Sequence, residues 1–66
     1  MYVKALNSSK SFSLTDLLFI QRDRLIRDTE GEVFRVLSDT EILHIDRVNV
    51  RQETFNRLPV LISHYR

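Results

Sequence analysis

The chain contains a single glycine, Gly31, and it lies between the two segments richest in strand-forming residues, Leu25-Ile26-Arg27-Asp28 and Val33-Phe34-Arg35-Val36-Leu37. Glycine occupies positive φ without strain, so one glycine set among polar Thr29, Glu30 and Glu32 marks a tight reversal of the chain. The β-branched and aromatic residues on either side make that reversal a hairpin. A second polar connection, Ser38-Asp39-Thr40-Glu41, leads into Ile42-Leu43-His44-Ile45-Asp46, which extends the hairpin to a meander of three short strands.

Length sets the scale of what this meander can support. A chain of 66 residues is expected to fold as one domain over residues 1–66 and to bury only about 60% of the surface its unfolded form exposes. Disulfides cannot reinforce so small a core, because there is no cysteine. A thiolate zinc site is excluded for the same reason, and His44 and His64 alone are too few for a closed tetrahedral site. No metal and no cofactor is therefore expected, and self-association or a partner is the remaining source of added stability. The opening stretch, MYVKALNSSKSF, holds no apolar run of signal-peptide length, and Leu17 to Ile20 and Val60 to Ile62 are far too short to span a bilayer. The expected location is the cytoplasm, with no membrane partner.

The rest of the chain fits around the meander. Tyr2-Val3-Lys4-Ala5-Leu6 alternates weakly and reads as a first strand. Ser13-Leu14-Thr15-Asp16 has the form of a helix start, with Leu17 and Leu18 at helical spacing from Leu14. Residues 14–27 leave two readings open: one long helix, or a turn or two of helix followed by extended chain from Phe19 to Arg24. The second is preferred, because a longer helix scatters Phe19, Ile20 and Ile26 off the apolar side. Arg47-Val48-Asn49-Val50-Arg51 alternates and predicts extended chain with Val48 and Val50 on one face. Gln52 to Arg57 reads as a single helical turn or loop. Pro59 places Leu58 to His64 as a final strand at a sheet edge or starting at the proline. The expected fold is mainly β: a small SH3-like barrel or strongly bent antiparallel sheet with one short N-terminal helix.

The segment Asp23 to Leu37 resembles the first hairpin of small SH3-like barrels, including the KOW type, in which an extended segment reaches a glycine turn and a valine-rich strand returns. It departs from that pattern at Arg22, where a glycine is usual, and in a single-turn helix before the last strand that is only suggested by Gln52 to Arg57. The resemblance implies a five-stranded, strongly bent antiparallel sheet used as a binding module for nucleic acid or peptide.

The charge is small in sum and uneven in place. A formal net charge of +1 divides into two basic ends and an acidic middle. Lys4 and Lys10 stand unopposed at the start; eight acids oppose Arg22, Arg24, Arg27 and Arg35 in residues 13–46; and Arg47, Arg51, Arg57 and Arg66 oppose only Glu53 at the end. Nonspecific nucleic-acid binders carry a large basic excess, since their affinity comes from counterion release at phosphates, and this chain has none. Its cations are nonetheless mostly arginine, whose planar fork suits carboxylates and phosphates alike. No nucleophile elbow, phosphate loop or histidine pair at helical spacing is present, so an enzyme is not expected.

The expected function is that of a small non-enzymatic regulator or adaptor that binds a protein partner or itself, of a size common among bacterial and bacteriophage accessory proteins. The alternative is a nucleic-acid-binding module of SH3-like or KOW-like type that uses an arginine-rich face for DNA or RNA. Arg22 and Arg24 on one extended row, Arg47 and Arg51 on another, and Phe55 with Arg57 form the candidate partner-binding set. The bland alternative pairs Arg24 and Arg27 with Glu30, Glu32 or Glu41 across the hairpin, for at most about 1 kcal/mol each. Val60, Leu61 and Ile62 are consecutive and apolar, which predicts an open edge suited to self-association, as a dimer formed by strand addition. His44 is expected to bond to a backbone group or to Asp46, and His64 to be solvated.

Overall fold

The computed structural model describes residues 1–64. Six strands and two short helices follow in the order β1 (Tyr2–Leu6), β2 (Ser11–Ser13), α1 (Leu14–Leu17), β3 (Leu25–Asp28), β4 (Val33–Ser38), β5 (Glu41–Ile45), a 3₁₀ turn (Arg47–Asn49), α2 (Gln52–Asn56) and β6 (Val60–Leu61). They form one sheet in the spatial order β2-β1-β5-β4-β3-β6. An antiparallel bridge between Ser11 and His64 returns the chain beyond β6 to β2, so the sheet nearly closes on itself. The result is the expected mainly β, SH3-like barrel. It has six strands where five were expected, and two of its pairings, β1 with β5 and β3 with β6, are parallel.

The predicted hairpin is β3–β4, with Leu25, Ile26 and Arg27 opposite Arg35, Phe34 and Val33. Gly31 lies in its turn at φ +85°, as the lone glycine required. Alternation sends Phe34 and Val36 into the barrel with Val3, Ala5, Phe12, Leu17, Ile26 and Ile42. Phe12 and Phe34 meet edge to face with centroids 5.0 Å apart. Each of these fully enclosed side chains contributes on the order of 1.5–3 kcal/mol. Val33 belongs to a second cluster, on the outer face of the sheet, where Val50, Leu58, Leu25, Ile45 and Phe55 pack together. Strand β4 is thus buried on both faces at its start, and the segment from the 3₁₀ turn through α2 is the cover on the outside.

Three expectations are corrected. Residues Phe19 to Arg24 are turns, with strand structure starting only at Leu25. Ile20 N–H donates to Leu17, and Asp23 takes φ 64° while its N–H donates to Val36, so Arg22 and Arg24 line no strand. Aspartate tolerates the left-handed region better than most residues, and this allows the reversal without a second glycine. Arg47 to Asn49 coil into a 3₁₀ turn because the Asp46 carboxylate caps the Val48 N–H at 3.2 Å. Val48 is consequently 83% exposed while Val50 is 7% exposed, and the alternating row of Arg47, Asn49 and Arg51 does not form. The final strand shrinks to Val60–Leu61, whose register is set by Arg27 N–H donating to the Pro59 carbonyl at 3.0 Å.

Among the described residues, Asp28 is the polar residue buried in the interior. The Asp28 carboxylate is fully buried and accepts from Glu30 N–H and Glu32 N–H, each at 2.9 Å, and from the Lys10 ammonium. Lys10 also reaches Glu30 at 2.6 Å. Lys10 precedes β2 and Asp28 ends β3, so this ion pair ties the two strands together.

A candidate arginine–phenylalanine site

Phe55 is half-buried on α2, with its ring over the hairpin turn: a Cβ added at Gly31 would lie 3.6 Å from its Cζ. Two guanidinium groups lie over this ring. Arg47 Cζ is 4.0 Å and Arg27 Cζ 4.4 Å from the centroid. Cation–π contacts of this kind stabilise by roughly 0.5–2 kcal/mol, more as water is excluded. Arg47 is further fixed by donating to the Val50 carbonyl and to Gln52 Oε1, both at 2.7 Å, and Gln52 in turn donates to Asn56 at 2.8 Å. Among the described residues, Arg27 is held by stacking alone. Its Nε is buried and finds no hydrogen-bond acceptor among the described residues.

The acids of the hairpin turn, which could neutralise these cations, are engaged elsewhere. Glu30 binds Lys10, and Glu32 lies 2.8 Å from His44 Nε2. Among the described residues neither Arg27 nor Arg47 enters a salt bridge. Among the described residues neither Arg24 nor Arg27 forms the cross-hairpin pairs of the alternative reading, and the partner of His44 is Glu32 where Asp46 or the backbone was expected. Asp46 is committed to capping. Lys10 feels two opposing influences. Burial, the largest, pulls its pKa down, but the hydrogen bonds it donates to Asp28 and Glu30 and the charges of those carboxylates raise it well above the ordinary lysine value.

Of the six predicted partner-binding residues, the fold joins Arg47 and Phe55 directly. Arg51 immediately precedes α2 and Arg57 follows it, and both are exposed. Arg22 and Arg24 stand apart, in the turn that hydrogen-bonds to Val36 near the far end of β4. The residue missed was Arg27. Its signal was present in the alternation, which places Leu25 and Arg27 together on the outer face of β3, but the sequence alone assigned its charge to a cross-strand glutamate. At the predicted edge, Leu61 packs against the barrel core, while Val60 and Ile62 face outward.

No protein-family model matches this sequence, and no curated protein or solved structure matches it either. No helix among the described residues is long and apolar enough to cross a membrane.

Proposed function

We propose that this chain is a small non-enzymatic binding module, acting as a regulator or adaptor, that recognises an acidic segment of a protein partner at Arg27, Arg47 and Phe55. The observation that carries the reading is the stacking of two guanidinium groups, neither in a salt bridge among the described residues, on one half-buried ring. A stacked guanidinium loses less rotamer freedom on binding, and the N–H groups that Arg47 does not spend on Val50 and Gln52 are held in place for a carboxylate. Arg51 and Arg57 add positive potential on either side, which steers an acidic segment toward the ring.

Nucleic acid is the less favoured ligand. A backbone-tracking groove needs a run of cations, and here Arg22 and Arg24 lie away from the α2 end in a chain whose net charge is +1.

Fluorescence anisotropy with a labelled glutamate-rich peptide and with single-stranded DNA and RNA of matched charge tests the reading. The peptide should bind, weaken as salt rises, and lose roughly tenfold in affinity with Arg47→Gln, the equivalent of about 1.4 kcal/mol of charge-assisted hydrogen bonding. Tighter binding of either oligonucleotide than of the peptide, or no binding of the peptide at low salt, would overturn it.

A further inference from the structure

We infer that the recognition surface continues from the arginine–phenylalanine cluster along the seam of the barrel, and that its ligand is an amphipathic acidic segment. Carboxylates meet the cluster and apolar side chains lie along the seam. This inference rests on the reading above and specifies the ligand of the same site. Arg27 and Val60 are register partners on the parallel strands β3 and β6, and partners in register project to the same face. Val60, 50% exposed, is thus the outward neighbour of Arg27. The alternation continues beyond β6, with Leu61 turned into the core, Ile62 67% exposed, Ser63 half-buried and His64 exposed. The Tyr2 ring of β1, itself 56% exposed, then meets the His64 ring at a centroid distance of 4.6 Å.

A strip of apolar and aromatic surface therefore starts beside a stacked arginine and runs from Val60 past Ile62 to the His64 and Tyr2 rings. Strand addition is not available along its whole length, because His64 N–H and carbonyl are already taken by Ser11. An occupant of the full strip therefore engages side chains where it passes His64. Aromatic and arginine anchors next to aliphatic surface are the composition of binding hot spots. The chemistry of the occupant follows from charge. A wholly apolar ligand would leave two guanidinium groups without a counter-ion, and a wholly acidic one would leave Val60 and Ile62 in water. A second copy docked strip to strip by a two-fold axis brings no carboxylate from the strip itself, since Val60, Ile62, His64 and Tyr2 carry none.

Two short labelled peptides of equal net charge distinguish the possibilities, one of glutamate with serine and glycine, the other with leucine between the glutamates. The leucine peptide should bind the parent chain about tenfold more tightly or better. Val60→Ser with Ile62→Ser should bring it down to the level of the purely acidic peptide and leave the latter unchanged, while Arg47→Gln weakens both. Both serine positions are exposed, and an unchanged melting temperature verifies the fold. Equal affinity for the two peptides, or no effect of the double serine variant, overturns this inference and leaves the acidic-ligand reading standing. Failure of both peptides to bind removes that reading and this one together. A concentration-dependent dimer in sedimentation that the serine variant abolishes, without preference for the leucine peptide, assigns the strip to a second copy and also overturns it.

Discussion

Replacing Lys10 by methionine keeps the aliphatic stem and removes the ammonium that faces the buried carboxylate of Asp28. Asp28 retains the Glu30 and Glu32 amides at 2.9 Å, so its charge is left partly compensated in a place with no side-chain exposure. Breaking one side of a buried pair costs about 3–5 kcal/mol; the two surviving amides and the 14% exposure of Lys10 place the cost near the lower end, about 3 kcal/mol. Asp28→Asn keeps an oxygen for both amides and leaves Lys10 its contact to Glu30 at 2.6 Å, for a cost of about 2 kcal/mol. The double variant holds neither charge, so it should cost about 3 kcal/mol where additivity gives about 5, a coupling of roughly 2 kcal/mol. For a 66-residue chain with roughly 3–10 kcal/mol in all, Lys10→Met alone should lower the melting temperature by about 12–24 °C. Urea titration and thermal melting followed by circular dichroism read these values. The pH dependence supplies an independent check. Because the folded pKa of Lys10 lies above its unfolded value, its contribution is complete below about pH 10.5 and is lost as pH rises further. The parent should weaken in that range relative to Lys10→Met. A Lys10→Met variant within about 0.5 kcal/mol of the parent would match an exposed pair and, with additive single changes, would refute the account.

Other expected outcomes follow from the same geometry. Gly31→Ala meets Phe55 Cζ at an ordinary 3.6 Å, so its cost is the positive φ of 85° alone, about 1–2 kcal/mol by urea titration. Phe55→Ala should cost about 1–2 kcal/mol, less than a fully enclosed ring, and should weaken acidic-peptide binding by removing the ring on which Arg27 and Arg47 stack. Phe34→Ala, at the centre of the barrel and fully buried, should cost about 3–5 kcal/mol and leave the chain largely unfolded by circular dichroism at 37 °C. Asp46→Ala removes the cap on Val48 N–H and should cost about 1 kcal/mol in the same measurement.

The hairpin, the meander and the first strand were legible because each depends on neighbours in sequence: a glycine between β-branched runs, polar residues between strands, alternation within them. Where the reading failed, a side chain had outvoted the pattern. Arg47 to Asn49 alternates as a strand does, yet the Asp46 carboxylate two residues from Val48 N–H offers a competing local bond, and the 3₁₀ turn results. Asp23 reverses the chain without glycine, which hid the end of the α1 connection. Parallel pairing of β1 with β5 and of β3 with β6 depends on contacts distant in sequence, and periodicity has no register for those.

The site was half legible for the same reason. Arg47 and Phe55 lie eight positions apart in the chain, within one local unit, whereas Arg27 reaches the ring only because β3 is held under α2. That placement traces back to the buried carboxylate. Asp28 follows Arg27 directly, and its oxygen accepts from the amides of Glu30 and Glu32 on either side of Gly31, so it shapes the turn on which Phe55 rests. Lys10, which completes the neutralisation, stands next to Ser11, and Ser11 holds His64 where the barrel closes. One ion pair therefore links closure of the sheet to the floor of the cation–ring cluster. Lys10→Met should then weaken acidic-peptide binding by more than its unfolded fraction explains, under conditions stabilised by osmolyte so that the chain remains folded. A loss that matches the unfolded fraction alone would separate the two and leave Phe55 supported by its own cluster of Val33, Val50 and Leu58.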